Sequence, residues 1–223
     1  MSMNSKEYLK LLHLPTTSCI LAFGIMGTMF APVVYFDRFL LNLLQLFLIG
    51  GVSANYLDEI QGRPWHTRMP EKHLWIIATT SMLSAVLIGI HIMVTVSYWF
   101  GIFIVLWIFF TFTYDLELCN GYFHNTTCIA LSWGSTCLGS YFIHNKTITP
   151  SILVFSIIAG SIAGQGRNLY ERAKIYYKDK NSSASKKSRR AWTLLKTLIV
   201  FIDIYALIIL AWRIGTHKVV LVF

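Results

Sequence analysis

Residues 74–114 contain no Asp, Glu, Lys or Arg, and this charge-free run constrains the chain more than any other feature. A single α-helix of about forty residues would be about 60 Å long, whereas the hydrocarbon core of a bilayer is about 30 Å thick. The run must therefore fold back on itself, and the segment SYWFG at 97–101 is the predicted bend. Because 55% of the 223 residues are hydrophobic and only 13% are charged, the sequence predicts a single integral membrane domain over residues 1–223.

Apolar segments separated by short polar stretches predict seven membrane-spanning helices in an all-α bundle. Their predicted ranges are 17–36, 39–55, 74–96, 100–114, 127–143, 151–163 and 192–212. Residues 1–15 mix leucines with charges and predict a helix lying in the membrane interface, ending near a proline. The segment YKDKNSSASKKSRR at 177–190 is typical of a mobile basic loop on the cytoplasmic side.

The basic residues are distributed unevenly between the two sides of the predicted bundle. The segments on the N-terminal side hold Lys6, Lys10, Arg63, Arg68, Lys72 and the ten basic residues between 167 and 196. The other side holds only Arg38, Lys146, Arg213 and Lys218. This bias predicts a cytoplasmic N-terminus and accounts for the net charge of +9 without a nucleic-acid partner. No cleavable signal peptide is predicted, because the first apolar run is long enough to span by itself.

A polar cluster follows the second predicted span, in the sequence ANYLDEIQGRPWHTRMP. Helical spacing would place Asn55, Asp58 and Glu59 on one face, with Arg63 one turn further along. Carboxylates and an amide in this arrangement could hold a hard cation, and Arg63 and Arg68 could contact phosphate. The alternative interpretation is that these charges only mark the end of an apolar segment.

Two more polar clusters follow the fourth and sixth predicted spans and fall on the same side as the first. The fourth span ends in TYDLELCNGYFHN, where Tyr114 and Asp115 could position or deprotonate a substrate, or Tyr114 could only anchor its helix. The sixth leads into GQGRNLYERAK, whose candidate residues for phosphate or metal binding are Arg167, Asn168, Glu171, Arg172 and Lys174. For Glu171, the alternative to metal binding is a pair with Lys174 one turn away.

Several other polar residues lie within apolar segments. His91 and Asp203 fall deep in the third and seventh predicted spans, where an ionisable side chain is either functional or satisfied by a local hydrogen bond. The four cysteines, Cys19, Cys119, Cys128 and Cys137, have no metal-binding spacing and are predicted to be small packing residues.

The order of these features resembles the UbiA superfamily of intramembrane prenyltransferases. The resemblance covers about residues 6–196: an N-terminal interfacial helix, polar clusters after the second and sixth spans, and YDLEL at 114–118 where the family carries a Tyr-containing motif. It implies a helical bundle around a cavity open to lipid, in which two Asp-rich motifs bind Mg²⁺ and the diphosphate of an isoprenyl donor. The prenyl group then passes to a lipophilic acceptor.

The family's motifs match this chain only in part. In the first motif Asn55 and Glu59 match, whereas Tyr56 and Arg63 replace two acids. In the second motif Asn168 and Glu171 occupy the two Asp positions of an Asp-x-x-Asp pair. The family usually has about nine spans, and seven are predicted here. Independently of the family, Asp58, Glu59 and Glu171 could together hold one Mg²⁺ ion, and Asn55, Asn168 and the basic residues of the clusters could contact a diphosphate. The alternative is a non-catalytic membrane protein that binds lipid or a protein partner.

Overall fold

A computed structural model describes the backbone of residues 5–178, 182–216 and 219–220, and the side chains of residues 7–174 and 186–216. The described chain is almost entirely helical, which confirms the all-α prediction. Its α-helices are α1 (Ser5–Leu11), α2 (Leu14–Met29), α3 (Phe36–Leu46), α4 (Ala54–Gly62), α5 (Glu71–Thr95), α6 (Gly101–Asp115), α7 (Thr126–Asn145), α8 (Pro150–Lys178) and α9 (Ser182–Gly215). A two-residue parallel bridge pairs β1 (Val34–Tyr35) with β2 (Val219–Val220).

Five helical segments are long and apolar enough to cross a membrane, and all five coincide with predicted spans. They are Phe36–Gly62, Glu71–Thr95, Tyr98–Asp115, Pro150–Lys174 and Lys186–Gly215. The other two predicted spans are also helical: α2 is shorter, and α7 is rich in Gly, Ser and Thr. The predicted bend at 97–101 is confirmed, because α5 ends at Thr95 and a short 3₁₀ turn at Tyr98–Phe100 leads into α6.

The N-terminal helices differ from their predicted boundaries. The interfacial helix was predicted over residues 1–15, of which 1–4 lie outside the described residues. In the structure α1 ends at Leu11. Pro15 lies in the first turn of α2 instead of ending the first helix. Proline is tolerated at that position because the first helical N–H groups have no partner within the helix. The first span was predicted to reach residue 36, but α2 ends at Met29 because Pro32 lacks an N–H and disfavours helix at the residue before it.

The helix Phe36–Gly62 is continuous but changes its winding in the middle. Residues Phe47–Ser53 form a π-helical segment between α3 and α4, so that backbone carbonyls here are displaced from the usual ladder. The Gly51 carbonyl accepts hydrogen bonds from Asn55 Nδ2 at 2.6 Å and from Thr17 Oγ1 at 3.5 Å. Glycine is required here because a methyl group on Gly51 would lie 2.7 Å from Thr17 Cγ2.

Small residues bring α2, α7 and α8 close together, as the composition of the fifth predicted span indicated. A methyl group on Gly27 of α2 would overlap the Cys137 carbonyl of α7, and one on Gly160 of α8 would overlap the Ala130 carbonyl. The predicted packing role of cysteine holds for Cys137, which is fully buried. Helix α7 is therefore the centre of the bundle, packed against α2, α6 and α8.

The prediction of a basic loop at 177–190 is wrong over most of its length. Helix α8 continues to Lys178 and α9 begins at Ser182, while residues 179–181 lie outside the described residues. The sequence around Ala184 is rich in Ala, Lys and Arg, which are good helix formers. Ser188 Oγ donates to the Ala173 carbonyl at 2.9 Å, and the small buried side chains of Ala173 and Ala191 let the two helices pack as a hairpin.

We call one end of the bundle the polar end. It is formed by the C-termini of α4, α6 and α8 and by the N-termini of α5, α7 and α9. The opposite end carries the β1–β2 bridge, and there Arg213 donates hydrogen bonds to the Ala31 and Pro32 carbonyls after α2. The alternation of helix direction brings all three predicted polar clusters to the polar end.

Candidate functional site

The three polar clusters that the sequence predicted to meet do come together. The carboxylate of Asp58, in the middle of α4, interacts electrostatically with His124 from the α6–α7 loop and with Lys174 from α8. It also interacts with the carboxylate of Asp115, the last residue of α6. The polar end is therefore a shared site built from three separated parts of the chain.

Arg167 of α8 fixes the α6–α7 connection around Tyr114. Its Nε donates to the Tyr114 hydroxyl at 2.6 Å, and its Nη2 donates to the His124 carbonyl at 2.8 Å. The His124 ring stacks on the Tyr114 ring with centroids 4.3 Å apart, and His124 Nδ1 lies 3.0 Å from the Tyr114 carbonyl. The Tyr114 hydroxyl is thus held in one position by a charged donor, and a bidentate guanidinium ties α6, the loop and α8 together.

Asp58 and Asp115 form a pair of carboxylates from different helices. Both side chains are partly buried, and within the described part of the chain neither accepts a hydrogen bond. Two carboxylates that face each other with little water repel, so a proton or a cation between them lowers the free energy. Lys174 and His124 are the neighbouring groups that could carry positive charge.

Glu59, the next residue after Asp58, points into the loop that follows α4. It is fully buried, and it accepts hydrogen bonds from Trp65 N at 3.0 Å, Thr67 N at 2.7 Å and Thr67 Oγ1 at 2.7 Å. Both carboxylate oxygens are therefore used by the chain itself. This arrangement gives the predicted metal ligand Glu59 a structural role in closing residues 63–69 over the end of α4.

The other predicted residues of the first cluster also contact the backbone. Asn55 Nδ2 donates to the Gly51 and Leu12 carbonyls, which joins α4 to the α1–α2 connection. Arg63 takes a left-handed backbone conformation at the end of α4, and its Nη1 donates to the Thr67 carbonyl at 3.1 Å and the Met69 carbonyl at 3.2 Å. The Arg68 side chain is exposed, while its backbone N–H donates to Glu7 Oε1 at 3.3 Å.

The predicted residues on α8 divide between packing and exposure. Asn168 Oδ1 accepts a hydrogen bond from Thr126 Oγ1 of α7 at 2.7 Å. Glu171 is partly buried and lies near Tyr170. It makes no ion pair with Lys174. Lys174 Nζ instead lies 5.9 Å from the centre of the Tyr170 ring. Arg172 and Lys174 are exposed. Lys174 is therefore the predicted basic residue that both reaches Asp58 and remains available to a ligand.

Helix α1 covers one edge of the polar end. Lys10 Nζ donates to the Trp65 carbonyl, and the His13 ring packs on the Trp65 ring with centroids 4.1 Å apart. Burial lowers the pKa of His13 to about 4, because the surrounding side chains remove water that would stabilise the imidazolium. His13 is consequently neutral at physiological pH, and Thr16 Oγ1 lies within hydrogen-bond distance of its Nδ1.

The donor set is small for a metal site. Among the residues that the structure describes, no group of three or more His, Cys, Asp or Glu side chains is arranged to hold a metal ion. Asp58 and Asp115 could supply two oxygen ligands, and the remaining positions of a Mg²⁺ ion would have to come from water and from phosphate oxygens of a bound molecule.

Sequence reasoning did not select His124 and Tyr170 as site residues, although both belong to the clusters it identified. Aromatic and histidine side chains beside a predicted phosphate site were the available signal, in GYFHN and in NLYER. His124 matters because it stacks on Tyr114 of α6, and Tyr170 because its ring lies 5.9 Å from Lys174 Nζ; neither tertiary arrangement is visible in the sequence. In comparisons with known proteins, no family model, no curated protein and no solved structure matches this chain.

Proposed function

We propose that this chain is a multi-pass membrane protein with seven spans, a UbiA-like bundle and a cytoplasmic N-terminus. Five helices of spanning length support the membrane assignment, and α2 and α7 are the two further helices that the bundle would need. The charge distribution supports the orientation, because the polar end carries most of the Lys and Arg residues. In this orientation the polar end faces the cytoplasm.

We infer that the polar end binds an isoprenyl diphosphate and transfers its prenyl group to a lipophilic acceptor. The observation that carries this proposal is the Asp58 and Asp115 pair, in which Asp58 interacts electrostatically with Lys174 and neither acid accepts a hydrogen bond from a described residue. Carboxylates left without donors beside an available ammonium suit a diphosphate bound together with Mg²⁺. A prenyl chain would extend from this site along the apolar helices into the bilayer.

Each residue would have a defined task in such a reaction. Asp58 and Asp115 fit a Mg²⁺ ion whose chemistry would be to neutralise the departing diphosphate. Lys174 would contact a phosphate oxygen as a point charge, with the exposed Arg172 next to it. Tyr114, fixed by Arg167, would orient the acceptor at the boundary between the site and lipid.

One observation favours the second candidate, a membrane protein that binds a lipid head group without catalysis. Glu59, which matches the first UbiA motif, and Arg63, a predicted phosphate contact, are both engaged by the loop at 63–69. The site then has fewer acids than a reaction with two metal ions would need. Lys174 and Arg172 alone would suffice to hold an anionic head group.

Turnover of radiolabelled geranylgeranyl diphosphate distinguishes the two candidates. Membranes containing the protein are incubated with native lipid extract, with and without Mg²⁺, and lipid products are separated. The prenyltransferase proposal expects a labelled lipid that requires Mg²⁺ and is lost in Asp58→Asn and Asp115→Asn. Asp37→Asn, at the opposite end of the bundle, is the matched control and should retain the product.

Binding of the same diphosphate is measured in parallel. Binding without product, insensitive to Mg²⁺ and to Asp58→Asn but lost in Lys174→Gln, would overturn the enzyme proposal and support head-group binding. No binding and no product, from protein that elutes as a single species, would contradict both.

A further inference from the structure

A groove open to the surroundings lies between α2, the π-helical segment and α9. Its volume is about 440 Å³, within the range of small-molecule sites in proteins. Its walls are mainly apolar and include Leu14, Leu21, Phe47 and Ile199, and its polar side chains include Ser18 and Asp203. We call it the α2/α9 groove. No residue of the Asp58 and Asp115 pair lines it.

Asp203 gives this groove an unusual chemical character for a site at membrane depth. The Ser18 hydroxyl lies 2.9 Å from Asp203 Oδ2 and also 3.1 Å from the Pro15 carbonyl, so its single proton is shared between two acceptors. Asp203 Oδ1 is shielded from solvent and has no hydrogen-bond partner. One oxygen of a carboxyl group in an apolar groove is therefore left unsatisfied, which is unfavourable unless a ligand supplies a donor.

The described side chains that line the groove supply no positive charge to Asp203. The residues lining the α2/α9 groove include no Lys, Arg or His. The nearby Cys19 is a thiol and adds no cation. Lys196 lies two turns before Asp203 on α9, but its Nζ lies 5.3 Å from the centre of the Trp192 ring and it does not line the groove. His91 lies exposed on α5 and does not line the groove either. An ionised carboxylate within a membrane is normally paired, and a bound cation would supply the partner that the described lining of the groove lacks.

We propose that the α2/α9 groove binds a lipophilic primary amine, with its ammonium group on Asp203 and its chain along the apolar wall. A cation is favoured over a neutral donor because it neutralises the carboxylate as well as donating a hydrogen bond to it. Entry from the bilayer is open, since Leu14 is 67% exposed and α9 presents Val200, Ile204 and Leu207 on the outside of the bundle. The proposal is independent of the diphosphate chemistry of the polar end.

The chain contains its own control groove. A second groove, of about 340 Å³, lies between α8 and α9 and is lined by Ile157, Ile158, Ser161, Ile162, Gln165 and Leu198. It matches the α2/α9 groove in size and apolar character but lacks an ionisable residue. If the probes only partition into apolar grooves, the ratio of amine labelling to alcohol labelling should therefore be the same at both grooves.

Photo-crosslinking with matched probes tests the proposal. The purified protein in nanodiscs of phosphatidylcholine is irradiated with hexadecylamine carrying a diazirine near its amino group, or with the corresponding hexadecanol. Labelled peptides are quantified by mass spectrometry. We expect the amine to label residues 14–21 and 199–203 about tenfold more than the alcohol, the ratio expected between charge-assisted and neutral hydrogen bonds. At the second groove the two probes should label equally.

Asp203→Asn keeps the shape of the side chain and should abolish the preference for the amine at the α2/α9 groove. Equal labelling of the α2/α9 groove by both probes in the native protein would overturn the proposal. A preference for the amine at both grooves would do the same, as would a preference at the α2/α9 groove that survives in a monodisperse Asp203→Asn variant. If that variant aggregates, the ratio between the two grooves in the native protein still decides, because it needs no substitution.

Discussion

Replacing Glu59 should open the loop at 63–69, because this carboxylate is the acceptor for three donors in the loop. Glu59→Gln keeps one carbonyl oxygen but replaces the other oxygen with an amide nitrogen that cannot accept from the Trp65 N–H. Leaving that N–H without an acceptor costs about 1–3 kcal/mol. Glu59→Ala removes all three hydrogen bonds and should cost about 3–5 kcal/mol, since the donors to a fully buried charged group then lose their partner.

Limited proteolysis is a direct assay, because the loop contains a trypsin site at Arg68, whereas Arg63 is followed by Pro64 and is not cleaved. In the native protein Arg63 Nη1 donates to the Thr67 and Met69 carbonyls on either side of Arg68, and both of these residues are buried, so cleavage after Arg68 requires the loop to open. A loss of about 2 kcal/mol in the free energy of opening should raise the cleavage rate about thirtyfold when opening is rapid compared with cleavage. Thermal unfolding in detergent should show a lower midpoint for the same variants.

Asp58→Asn is the matched control for this prediction. Asp58 is adjacent in sequence but accepts no hydrogen bond from a described residue, so its amide variant should leave cleavage near its native value and should not lower the unfolding midpoint, because it removes the repulsion with Asp115. Native-like cleavage of Glu59→Ala would refute the structural role assigned to Glu59. Rapid cleavage in Asp58→Asn would refute the division of roles between the two acids.

Three further predictions follow from particular contacts. Cys119, at the polar end, is exposed, whereas Cys19, Cys128 and Cys137 are buried. A membrane-impermeant maleimide should therefore label intact cells only if the polar end faces outward. The proposed orientation expects labelling in inverted vesicles alone, and this labelling should be absent in Cys119→Ser. The pKa of His13 is lowered to about 4 in the folded protein, so as the pH falls the imidazole is protonated first in the unfolded chain. The free energy of unfolding should therefore fall by about 1–2 kcal/mol between about pH 6.5 and pH 4, a value that allows for the partial exposure of His13. Unfolding midpoints across this range should drop in the native protein and change less in His13→Asn. Gly160→Ala should lower the unfolding midpoint by forcing α7 and α8 apart, while Gly62→Ala, which has open space around it, should not.

Hydrophobic runs and charges were sufficient to predict the helices and the end at which the polar clusters meet. The charge-free run at 74–114 required a bend, and helix direction then brought Asp58, Asp115 and Lys174 to the same end. Composition failed at 177–190, because Ser and Lys residues suggested a loop. In the structure the high helix propensity of this stretch and the small buried faces of Ala173, Ser188 and Ala191 favour a helical hairpin.

The separate roles of Asp58 and Glu59 could not be predicted from the sequence. Consecutive helix residues point about 100° apart, and either carboxylate could have faced the site. The outcome depends on the path of the loop after Gly62, which brings the Trp65 and Thr67 N–H groups onto Glu59. That path is determined by tertiary contacts, including the packing of His13 on Trp65, which have no local sequence pattern.

The positions at which this chain departs from the UbiA motifs are occupied by residues with structural contacts. Tyr56 is buried in the core, Arg63 holds the loop, and Asn168 bonds to Thr126 of α7. If the polar end binds Mg²⁺ with a diphosphate, as proposed, the second acid should therefore come from Asp115 of α6.

This inference can be tested by comparing Asp115→Asn with Glu171→Gln. Each removes one charge at the polar end, but only Asp115 interacts with the Asp58 carboxylate on which the proposed ion would sit. We expect Asp115→Asn to weaken Mg²⁺-dependent binding of geranylgeranyl diphosphate at least about tenfold, because it removes roughly one charge-assisted contact. Glu171→Gln should change the affinity less than about threefold. The reverse ranking would return the second metal ligand to α8 and contradict the assignment of the site to α4 and α6.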